Sequence, residues 1–79
     1  MTPAEPIETH AIHCRLDELL AERNMTLTEL SERVGVSIVN LSVLKNDRAK
    51  AIRFSTLTAI CTVLNCEVGE LLEVDRRAK

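Results

Sequence analysis

The chain has 79 residues, 46% of them hydrophobic and 28% charged, which suits one small folded domain and excludes intrinsic disorder. Phe54 is its only aromatic residue, so the core must be built from Leu, Ile, Val and Ala, as in a helical bundle rather than a β-sandwich or barrel. The net charge of −2 is unevenly spread: residues 33–53 hold five basic residues against one acid, Asp47, whereas the remainder holds five against eleven. Such polarity predicts one basic face on an acidic body.

Residues 1–10 contain two prolines and no helical period, and are expected to form a flexible tail ahead of a domain spanning 11–75. Met1–Pro6 is neither basic nor followed by an apolar stretch, so no secretory leader is expected and the chain should remain in the cytoplasm. No apolar run is long enough for a membrane span. Leu16, Leu19 and Leu20 form an i, i+3, i+4 stripe that predicts a first helix over about 14–24, with Asn24 as a left-handed stop. A competing signal is the strand-like alternation of 12–16, which would pair with 72–75 as a short terminal ribbon.

Thr26 and Glu29 have capping-box spacing and open a second helix with Leu27, Leu30 and Val34 inward. Gly35 ends it, Val36 fills the elbow, and Ser37 caps a third helix over 38–45, held by Leu41 and Leu44. Residues 46–51 read as a polar, basic loop. Ser55 is expected to open a fourth helix that runs through Leu64 and stops at Asn65, with Leu57, Ile60, Cys61 and Leu64 on one side. A fifth helix, about 68–73, contributes Val68, Leu71 and Leu72. Residues 76–79, with Arg76, Arg77 and Lys79, are expected to form a flexible basic C-terminus. The expected fold class is all-α, five short helices.

Residues 26–45 carry the functional signal. Two capped helices meet at a glycine turn with an apolar elbow, which is what a steep helix-turn-helix crossing requires. The second helix of such a pair can enter the major groove with its N-terminal turn facing base edges, where free N–H groups also attract phosphate. The stretches MTLTELSERVGVS and VNLSVLKNDRAKAIRFSTLTAICTVLNCEVGELLEV resemble the Cro and phage-repressor helix-turn-helix family, of the Xre (xenobiotic-response-element) type. The run NLSVLK with RAKAIRFSTL is similar to a compact bacterial branch of it. That resemblance, covering 26–72, implies a five-helix, lambda-repressor-like domain, dimeric on double-stranded DNA with a near-palindromic operator, acting as repressor or activator.

By the same resemblance, Ser37 would bind phosphate and Asn40 would face base edges, where an Asn pairs bidentately with adenine. Ser42 and Lys45 would lie on the outer face. Asn46, Arg48, Lys50 and Arg53 would hold phosphates and set the register. Many relatives have Arg or Gln where this chain has Ile38 or Val43; Ile38 and Val39 would instead touch thymine methyls or serve a protein partner. Asp47 would oppose DNA. An alternative reading is therefore a protein-interaction module, antitoxin-like or anti-regulator, using the apolar outer face of the third helix.

No nucleophile–base pair, glycine-rich phosphate loop or paired-acid motif is present, so the protein is not expected to be an enzyme. Cys61 and Cys66 lie off the usual zinc spacing and read, with Cys14, as small buried thiols. No metal, cofactor or small-molecule effector is expected. The helix-five region and the segment around Ile12 are the candidate dimer surfaces.

Overall fold

The computed structural model describes residues 11–75; the tails expected at 1–10 and 76–79 lie outside them. The chain enters as a strand, β1 (Ile12–Cys14), and then forms helices α1 (Leu16–Glu22), α2 (Leu27–Val34), α3 (Ile38–Lys45), α4 (Phe54–Leu64) and α5 (Val68–Leu71). It closes with β2 (Leu72–Val74), antiparallel to β1 in the register Ile12↔Val74, His13↔Glu73 and Cys14↔Leu72. The five helices are as expected. The strand-like alternation at 12–16 prevails over the helical reading of Cys14, and the ribbon takes Leu72 and Glu73 from the expected fifth helix. Pairing satisfies two sets of backbone groups at once, with Arg15 N–H donating to Leu71 O at 2.8 Å and Asp75 N–H to Ala11 O at 2.6 Å.

Leu16, Leu30, Leu41, Ile60, Leu64 and Leu71 are essentially fully buried, joined by Leu19, Leu20, Leu44, Leu57 and Cys14. Each described helix contributes at least one, and no polar side chain is buried among them. Val68 remains exposed, and Leu72, Leu27 and Val34 are only partly covered. In β1 the pleat turns Cys14 into the core, while Ile12 on the same face overhangs it.

Chain reversals rest on left-handed residues. Asn24 (φ 53°), Gly35 (φ 72°), Asp47 (φ 64°) and Asn65 (φ 52°) follow α1, α2, α3 and α4 in turn. Asn and Asp tolerate this conformation because their short polar side chains bond locally. Ser55 does not open α4: the helix begins one residue earlier, at Phe54, with Arg53 at the cap position and no side-chain cap bond.

Candidate nucleic-acid interface

Two caps and one locked turn set the crossing of α2 and α3. Thr26 Oγ1 accepts the Glu29 N–H at 3.0 Å, and Glu29 Oε1 accepts the Thr26 N–H at 3.0 Å. At the far end, Gly35 N–H donates to Ser31 O, and the Ser31 hydroxyl donates to Val36 O at 2.6 Å. The chain is thus clamped on both sides of the elbow. Ser37 Oγ then accepts the Asn40 N–H at 3.1 Å and starts α3. Ser31 was not singled out in the sequence, because a serine inside a helix carries no signal until the following turn folds back over it.

The first turn of α3 stands clear of the core: Ser37, Ile38, Val39 and Asn40 are all exposed. Beside it an open groove is lined by Ser37, Asn40 and Val43 on one side and by Arg48, Lys50 and Arg53 on the other. These three basic residues are exposed, and none forms an ion pair among the described residues. A helix N-terminus with free donors beside three free cations is suited to a polyanion.

The remaining expected residues are placed differently. Lys45 is partly covered, and its Nζ pairs with Asp17 Oδ2 of α1 at 3.3 Å, away from the groove. Ser42 is also partly covered, and its Oγ accepts Asn46 Nδ2 at 3.4 Å. Neither Ser42 nor Lys45 is therefore a fully free outer-face residue. Asn46 is exposed. Ile38, Val39 and Val43 are all exposed, at 43%, 67% and 38%, so the outer face of α3 is apolar. Phe54, at the start of α4 beside Arg53, is 85% exposed: the single aromatic residue lies on the surface.

Asp47 does not face the basic loop alone. Its Oδ1 accepts the Cys14 N–H at 2.8 Å and its Oδ2 meets His13 Nδ1 at 2.9 Å. The acid expected to repel DNA thus ties the end of α3 to β1. The hydrogen bond to Asp47 raises the His13 pKa above its ordinary value, with smaller contributions from the Asp47, Glu73 and Glu18 charges. A raised folded value means that this pair stabilises the fold fully below the unfolded His value and loses that contribution as pH rises through the folded one. Both partners are exposed, so the effect should stay below about 1 kcal/mol. The stability difference between wild type and His13→Ala should therefore shrink from about pH 6 to about pH 8 in urea titrations. An unchanged or growing difference would contradict the pairing.

Among the described residues no group of three His, Cys, Asp or Glu side chains could hold a metal, and no helix is long and apolar enough to cross a membrane. Cys14 is buried as expected, but Cys61 and Cys66 are only partly so.

A capped, glycine-turned helix pair with an exposed second helix flanked by a basic loop defines a helix-turn-helix DNA-binding protein. The sequence model for the Cro/C1-type HTH DNA-binding domain matches residues 15–76, and the chain belongs to that family. It is 59% identical over 63 residues to an uncharacterized HTH-type transcriptional regulator, YozG of Bacillus subtilis (strain 168), covering 80% of this chain and 75% of that one. Among solved structures it is similar to the transcriptional regulator VanUg, at 30% identity and a TM-score of 0.69, over 91% of this chain and 95% of that one. The protein is a DNA-binding transcriptional regulator.

Proposed function

We propose that the protein is a cytoplasmic, non-enzymatic repressor that binds a near-palindromic operator as a homodimer, with α3 in the major groove. The observation that carries this reading is the exposed first turn of α3 beside the groove lined by Arg48, Lys50 and Arg53. Ser37 and the α3 N-terminus take a phosphate, and Asn40 reads adenine. Ile38 and Val39 contact thymine methyls. Arg48, Lys50 and Arg53, with Asn46, grip the backbone and fix the register. Ser42 and Lys45 contribute at the edge of the contact, Lys45 only after leaving Asp17. Two copies would set their recognition helices about 34 Å apart.

Selection from random duplexes, followed by titration at two salt concentrations, tests the reading. The expected result is a two-fold symmetric site whose affinity falls steeply with salt. Asn40→Ala should relax base preference at one position and cost about 1–3 kcal/mol, whereas Lys50→Ala should weaken all sequences alike and flatten the salt slope. Equal losses on every sequence for both variants would refute this division of roles.

The exposure of Ile38, Val39 and Val43 favours a second reading, in which a protein partner covers this face. Ile38→Asp should then abolish partner binding, and selection should enrich no duplex. Under the operator reading, the same variant lowers affinity for the selected site most where it places a carboxylate against phosphate or a thymine methyl.

A further inference from the structure

The C-terminus of α4 brings two thiols together. Asn65, left-handed at φ 52°, turns the chain back so that the Cys66 N–H donates to Cys61 O at 3.0 Å and the Asn65 N–H to Thr62 O at 3.3 Å. This pair of bonds is the Schellman ending, which places the side chain two residues beyond the helix end against the one in its last turn. In most helices the contact so formed is apolar. Here both sides are cysteine, and both are only partly buried.

We infer that Cys61 and Cys66 are a redox dithiol that closes to an intramolecular disulfide on reaction with a low-molecular-weight disulfide of the glutathione class. Three features support this. The closing backbone bond already holds the two residues side by side, the closeness a disulfide requires. The corner is braced from α1, where Arg23 Nε donates to Leu64 O at 2.6 Å and Nη2 to Asn65 O at 3.3 Å. The third thiol, Cys14, is buried on β1 and 4% exposed, so an oxidant reaches the pair first.

Burial and then the neighbouring Cys61 thiol push Cys66 up to about 11, with the Glu70 charge adding and the Arg23 charge opposing. One of the two cysteines, as its thiolate, attacks one sulfur of the small disulfide, forming a mixed disulfide and expelling one small thiolate. The other cysteine loses its proton to solvent and attacks the protein sulfur of that mixed disulfide, expelling the second small thiolate. Two protein thiols become one disulfide, and one small disulfide becomes two small thiols. The new bond staples the α4–α5 corner, since Cys66 immediately precedes Glu67, the capping residue of α5. The recognition helix has no part in it.

The test is incubation of the folded protein with oxidised glutathione, followed by mass spectrometry, peptide mapping and urea unfolding. The expected product is two hydrogens lighter, retains one titratable thiol assigned to Cys14, and carries a Cys61–Cys66 linked peptide. Its unfolding midpoint should rise and return with dithiothreitol. Cys61→Ser and Cys66→Ser should each stop at a glutathione adduct and show no such rise. A stable glutathione adduct on wild type, reaction of Cys14 at a comparable rate, or a lowered midpoint on oxidation would overturn the inference.

Discussion

Leu41→Ala should cost about 2–5 kcal/mol, the range for removing a buried leucine when the cavity collapses only in part. Leu41 is 1% exposed and, with Leu44, is one of two side chains by which α3 enters the core. A chain of this length has on the order of 4–12 kcal/mol of stability in total, so the loss is a large fraction of it. Urea unfolding followed by circular dichroism should show a much lower midpoint with little change in slope. DNA binding should fail in proportion to the unfolded fraction. Val39→Ala, on the same helix but 67% exposed, should stay within about 0.5 kcal/mol of wild type. A Leu41→Ala cost below about 1 kcal/mol would mean that α3 is not anchored through this residue.

Asp47→Ala separates charge from geometry. Taken as a charge in a basic loop, Asp47 repels DNA, and its removal should tighten binding. The structure predicts the opposite. The carboxylate accepts the part-buried Cys14 N–H and pairs with His13, and the residue itself is left-handed at φ 64°. Alanine removes the acceptor, at about 1–3 kcal/mol for a buried donor left unpaired, and adds about 1 kcal/mol of backbone strain. It also frees the end of α3 and the loop carrying Arg48 and Lys50. Asp47→Ala should therefore lower stability by about 2 kcal/mol and weaken operator binding several-fold. Asp47→Asn keeps an acceptor oxygen and tolerates the same conformation, so it should recover most of the stability. Lacking the negative charge, it should bind DNA at least as well as wild type. If alanine tightened binding, or asparagine were as damaging as alanine, the anchoring account would fail.

The contrast at Asp47 shows where sequence reasoning stops. Its partners His13 and Cys14 lie 34 and 33 residues away, and nothing in the local pattern pairs them. Lys45 is the same case: a basic residue at the end of a recognition helix reads as a DNA ligand until α1 brings Asp17 to it across 28 residues. Exposure is also a tertiary property, which is why Phe54, the sole aromatic, could not be assigned to the surface from composition. By contrast, the Thr26–Glu29 box, the Gly35 turn and the Ser37 cap are where they were expected, because each is decided within three or four residues.

The amino-acid sequence by itself determined the five helices, their principal stops, the helix-turn-helix at 26–45 and the concentration of positive charge around it. All of these rest on short-range hydrogen bonds, backbone preference and apolar periodicity, which act between near neighbours. Only the tertiary structure decided that the ends close as a β1–β2 ribbon, that Asp47 ties the end of α3 to β1, that Lys45 is engaged by α1, and which apolar residues remain uncovered. Each depends on which distant segment arrives alongside, and that is chosen by the packing of the whole core.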